Sequence, residues 1–196
     1  MRLELKKQKK KAALLKAAYT LFLKNGVNAT SVGDITAEAG VAKGTFYLYF
    51  REKQDIVTEV ADHVARQILE EAYVRILDKK TGRFSEDLAL IADAILDILS
   101  SNRPLLSFLG RDFKFPTFRE KLNQSHNAVW RALKNDMKSY AAATHQDEKA
   151  LVREIYCLLS MCGSVACSSV LEGVPEDMSA MRPSILSIIR KSFPSE

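Results

Sequence analysis

The chain has 196 residues, 47% of them hydrophobic, with only 8 Gly and 5 Pro, a composition that supplies a packed core and excludes disordered, collagenous and turn-rich classes. Its net charge of +5 is local: residues 1–53 hold 11 Lys and Arg against 4 Asp and Glu, leaving 18 against 20 in the rest. A basic end on a faintly acidic body points to a polyanion partner, nucleic acid or a membrane surface.

The opening "MRLELKKQKKKAALLKAAYTLFL" has the outline of a secretory leader, but Lys16 and Tyr19 interrupt its apolar part. Leu14, Ala18, Leu21 and Phe22 recur at helical spacing, so the segment reads as an amphipathic helix that Gly26 stops. "KKQKKK" reads as a solvated tail, with a DNA-tracking arm as the alternative. No apolar run approaches membrane-spanning length, so a cytoplasmic protein with no membrane partner is expected.

"TSVGD" starts the next element: Ser31 caps it, and Asp34 three residues on completes a capping box. A two-turn helix over Val32–Ala39 then ends at Gly40, and a second short helix is predicted from Lys43 to Phe50. Two short helices about a glycine turn have the form of a helix-turn-helix. On the second, residues four apart share a face. Val41, Phe46 and Phe50 side with the core. Thr45, Tyr49 and Lys53 make a stripe of donors suited to phosphate oxygens. Lys43 and Tyr47 stand where a recognition helix meets base edges, and Gly44 lets the backbone approach closely.

Long helices follow. Ile56, Val60, Val64 and Ile68 stripe one that runs to about Leu77; "DKKTGR" breaks it. Phe84, Leu88, Ile91, Ile95 and Ile98 define another, closed by "SSNRP". After "FKFP" a helix is expected from about Thr117 to Ala143. Leu151, Ile155, Leu158, Cys162 and Val165, and then Met178, Met181, Ile185 and Ile188, alternate spacings of four and three, the seam of helix-on-helix packing. The expected fold is all-α with about nine helices: a helix-turn-helix head over 1–53 and a larger helical body over 54–196.

No phosphate loop, nucleophile–base pattern or metal-ligand spacing occurs, so no enzyme activity, cofactor or metal is expected. Cys157, Cys162 and Cys167 lie five apart, which turns each about 140° from the last on a helix and prevents a shared face. They read as small buried hydrophobes. Glu86, Asp93 and Asp97 are the acids able to meet a cationic ligand, although the last two look like a solvated helix face.

"TSVGDITAEAGVAKGTFYLYFREKQDI" closely resembles the DNA-binding motif of the TetR family of bacterial transcriptional regulators, which typically reads T-x-x-x-I-A-x-x-A-G-V-S-x-G-T-x-Y-x-Y-F-x-x-K-x-x-L; the resemblance covers about residues 10–60. Thr36 departs from the usual Ala, and Ala42 from the usual Ser at the recognition-helix cap. The resemblance implies a homodimeric repressor on double-stranded palindromic operator DNA, controlled by a small, mainly apolar or aromatic effector in the body. Control by a partner protein without an effector is the alternative. It further implies DNA contacts from Ser31, Lys43, Gly44, Thr45, Tyr47, Tyr49 and Lys53. The effector pocket would draw on Phe108, Phe113, Phe118, Trp130, Met137 and Tyr140. The dimer interface would use Leu151, Ile155, Leu158, Cys162, Val165, Ile185 and Ile188.

Overall fold

A computed structural model describes residues 2–112 and 128–193 of the chain. The expected all-α class holds: among the described residues there are nine α-helices and no strand. In chain order they are α1 Arg2–Asn25, α2 Val32–Glu38, α3 Lys43–Phe46, α4 Lys53–Ile76, α5 Phe84–Ser100, α6 Arg103–Asp112, α7 Ala128–Ala143, α8 Glu148–Cys167 and α9 Met178–Ser192. Phe113, Phe118 and the expected helix start near Thr117 lie outside the described residues.

Two compact units form. One takes in Met1–Ala65 with Ser107–Phe113, the other Arg66–Leu106 with Lys114–Glu196. The first is larger than the head expected over 1–53, for a packing reason. Ile56, Val57, Val60, Ala61 and Val64 on the first half of α4 are all buried, and Phe108 stacks on Phe22 with ring centroids 5.7 Å apart. Leu14, Ala18, Phe22, Ile35, Phe46 and Phe50 complete that core, each large side chain contributing about 1.5–3 kcal/mol through burial.

Two local readings change. "KKQKKK" is not a loose tail but part of α1, which begins at Arg2. Lys11 at its end is held by Glu59 at 2.8 Å and lies over the Phe50 ring, 5.6 Å from the centroid. The recognition helix is shorter than predicted: α3 ends at Phe46, and residues 47–49 form a turn.

In the second unit α9 packs chiefly along α5. Ala89, Ala92 and Leu96 of α5 meet Ala166 of α8 and Met178, Ile185 and Ile189 of α9. A second cluster gathers Tyr140, Leu151, Ile155 and Phe193, with Phe84 stacked on Tyr140 at 4.4 Å and edge-on to Phe193 at 5.4 Å. Asp147 and Asp177 cap α8 and α9 by accepting from Ala150 and Ala180 backbone N–H groups. After Cys167 the helix continues as a π-helical turn over Ser168–Glu172 and stops at Gly173, whose φ of +71° favours glycine.

One sequence expectation is overturned here. Glu148–Glu172, 25 residues, is long and apolar enough to cross a membrane by length and composition. The expectation of buried cysteines also fails in part, because Cys157 is exposed. Cys162 and Cys167 are half-buried, and burial pushes the Cys162 thiol up to about 11.

Candidate nucleic-acid interface

The interface is built on the capped start of α2. Ser31 Oγ accepts from the Asp34 N–H at 3.1 Å, and Asp34 Oδ2 accepts from the Ser31 N–H at 2.8 Å. This is the capping box read from "TSVGD", and it leaves the Ser31 hydroxyl on the exposed surface. The Ser31 hydroxyl and backbone bonds hold the Asp34 carboxyl below its ordinary range. Thr36, unusual at its position, is buried without a polar penalty because its hydroxyl donates to the Gly33 carbonyl at 3.0 Å.

Gly40, at φ +65°, turns the chain into α3. Ala42 holds the extended conformation of a cap residue but supplies no side-chain hydrogen bond to α3. What fixes this four-residue helix is its anchor: Phe46 is fully buried, its ring tilted against Phe50 at 5.3 Å. With that side fixed, Lys43 and Gly44 stay exposed and Tyr47 is 55% exposed, its ring edge-on to Phe46 at 5.4 Å. Thr45 and Tyr49 are half-buried, as is Val41, which falls short of the core position expected. The outer face thus offers an ammonium, a bare backbone and a phenol side by side, groups able to meet phosphates and base edges.

Lys53 is engaged differently. Its ammonium donates to the carbonyls of Val27 at 3.0 Å and Thr30 at 3.1 Å, tying the start of α4 to the turn between α1 and α2. Periodicity cannot reveal such a bond, because it spans 26 and 23 residues. Two exposed residues of the same turn escaped the sequence reading, Leu48 at 77% and Arg51. The signal for Arg51 was present, a cation between Phe50 and the α4 start. Asp55 accepts from the Arg51 backbone N–H at 2.8 Å and so fixes that corner.

In the body the aromatic residues assigned to a pocket do not gather into one group. Phe108 belongs with Phe22 in the first unit, whereas Tyr140 and Met137 belong to the Phe84 and Phe193 cluster in the second. Trp130 is buried and donates its indole N–H to Glu70 at 3.3 Å. The acids considered for a cationic ligand are paired instead. Arg182 binds Asp93 at 3.1 Å and also Asp97, and Arg190 binds Glu86 at 2.9 Å. Both arginines lie on α9 and both acid sets on α5, a cross-helix pairing that single-helix reading overlooks.

The residues assigned to a dimer interface divide. Leu151, Ile155 and Ile185 are buried in the chain's own clusters, so the seam read from their spacing is intramolecular. Leu158, Cys162 and Val165 are half-buried against those clusters, and Ile188 is 43% exposed. Among the described residues no group of three metal-ligating side chains occurs.

Residues 14–60 match the family model of bacterial regulatory proteins of the tetR family. A fatty acid metabolism regulator protein of Bacillus subtilis is 32% identical over 120 residues, 60% of this chain and 61% of that protein, so the match spans less than two thirds of its length. An HTH-type transcriptional regulator of Haemophilus influenzae is 26% identical over 92% of this chain and 91% of its own. The fold matches that of FadR from Bacillus subtilis in complex with stearoyl-CoA, with a TM-score of 0.59 at 21% identity, covering 93% of this chain and 99% of that one. It also matches a TetR family transcription regulator from Marinobacter aquaeolei, with a TM-score of 0.62 at 16% identity over 100% of both chains. With its helix-turn-helix head inside the matched span and its helical body shared with these regulators, the chain belongs to the TetR family of DNA-binding transcription regulators, which are not enzymes.

Proposed function

We propose that two copies of this chain act as a cytoplasmic repressor on a palindromic operator, released by a small, mainly apolar effector held in the helical body. The observation that carries the DNA reading is the exposed Lys43, Gly44 and Tyr47 surface on a helix anchored by buried Phe46 and Phe50. Lys43 and Tyr47 meet base edges, while Ser31, Thr45 and Tyr49 hold phosphates.

Dimerisation rests on α8. Its apolar span is long, yet only 17% of the most apolar window is buried within the chain. Leaving that surface in water is unfavourable, and a second copy covers it. Because Leu151 and Ile155 face inward, the partner meets the neighbouring stripe of Cys157, Met161 and Ser164, joined by Ile188 of α9. A groove lined by Arg153, Cys157, Leu158, Met161 and Ser192 runs along it.

The effector shifts a population. It binds the DNA-incompetent dimer more tightly and moves the two recognition helices off the separation of about 34 Å that successive major grooves require. The fatty acid metabolism regulator among the relatives, and the stearoyl-CoA in the complex with FadR, support an effector with an apolar chain.

Sedimentation velocity tests the assembly, first on the protein alone and then on a duplex selected by it. Two chains alone and two per half-site pair are expected. A monomer that stays one chain per duplex overturns the dimeric reading.

A further inference from the structure

Arg66 stands on α4 between Asp62 and Glu70, each four residues away and on its own helix face. An arginine so placed ordinarily pairs with one or the other. Here it does neither: among the described residues no ion pair involves Arg66. Its side chain is half-buried, and its Nε is fully buried with no hydrogen-bond partner. Glu70 is used elsewhere, accepting from the indole N–H of buried Trp130 at 3.3 Å.

The contrast with the other body cations is sharp. Lys80 is answered by Asp136 at 2.6 Å and by the Tyr73 hydroxyl at 3.3 Å, Arg182 by two aspartates, and Arg190 by Glu86. A guanidinium turned inward away from two available carboxylates, with a buried donor left open, is unfavourable unless something negative completes it. Its planar fork suits a carboxylate or a phosphate, which it grips through paired N–H groups.

We infer that Arg66 is the anchor of an anion site in the body, and that the effector is an amphipathic anion: an apolar body ending in a carboxylate or phosphate. The inference rests on the effector reading above and narrows its chemical class. Trp130, the single tryptophan of the chain, shares Glu70 with this stretch of α4 and reports on the site.

The test follows Trp130 fluorescence during titration of the full-length protein with decanoate, decyl phosphate, decanol and decyltrimethylammonium, in the wild type and in Arg66→Gln and Arg66→Lys. Saturable changes are expected with both anions, tenfold or more weaker in Arg66→Gln and partly restored in Arg66→Lys, with decanol weak and equal in all three proteins. Decanoate against decyl phosphate tells carboxylate from phosphate. Equal binding of anions by Arg66→Gln, or decanol binding as tightly as decanoate, overturns the anion site but leaves a small-molecule effector standing. No binding of any of the four overturns both and favours control by a partner protein. An unchanged thermal midpoint for Arg66→Gln without ligand separates lost binding from lost fold.

Discussion

The Lys53 ammonium donates to the Thr30 carbonyl at 3.1 Å, closing a contact between α4 and the turn before α2. The Val27 carbonyl takes a second N–H at 3.0 Å. Both bonds lie within the unit that carries the interface, so Lys53 positions the helix-turn-helix as well as standing near its edge. Lys53→Met is expected to destabilise the DNA-free protein by about 1.5–3 kcal/mol, the range for hydrogen bonds from a charged donor. Urea unfolding without DNA measures it. An unchanged midpoint, with only a shallower salt dependence of DNA binding, would reduce Lys53 to a phosphate contact.

The helix starts yield a second prediction. Ala42 already holds cap geometry, with φ −66° and ψ 146°, and lacks only an acceptor. Ala42→Ser should therefore stabilise the head by about 1 kcal/mol, and Ser31→Ala should cost about the same at α2. Denaturant midpoints of the two variants should move in opposite directions; a shared direction would mean the caps do not limit head stability.

Much of this head was legible in sequence because its signals are local. Ser31 and Asp34, Gly26 and Gly40, and the Phe46 and Phe50 anchor each act within a few residues, and each is where spacing puts it. The body was legible in its helices but not in its faces. Leu151, Ile155 and Ile185 have seam spacing whether they meet a second chain or their own, and only the packing of α5 and α7 decides. The pairing of Arg182 with Asp93 and Asp97 is equally invisible to a one-helix reading. The length of α3 was overestimated because "YLYF" continues the helical period even though the backbone turns after Phe46.

Acidification bears on the capping box. The folded state holds the Asp34 carboxyl below its ordinary value of 3.8, through the Ser31 hydroxyl and the Ser31 backbone. Its contribution is therefore complete above that value and is lost as pH falls through the lower folded one. Asp34→Asn should be less stable than wild type at neutral pH, and the gap should narrow in the acid range. A gap that stays constant down to strong acid would show that the carboxylate charge plays no part.

The apolar stripe of α8 and Ile188 supplies a test of assembly. Ile188→Glu and Met161→Glu place charges on surface proposed to be covered, and both are expected to yield folded monomers with weakened operator affinity. Leu151→Glu should instead unfold the body, since Leu151 is 1% exposed within one chain. Sedimentation and circular dichroism together distinguish these outcomes. Dimers persisting in both surface variants would move the interface elsewhere.

Selection from a library of random duplex DNA tests the central claim most directly, run with wild type, Lys43→Ala and Tyr49→Phe at several salt concentrations. The account predicts an enriched palindrome with half-sites about one helical turn apart, lost with Lys43→Ala and weakened without change of preference by Tyr49→Phe. Binding that depends on salt alone, with no enriched motif in any arm, would contradict it and reduce the basic head to a phosphate clamp.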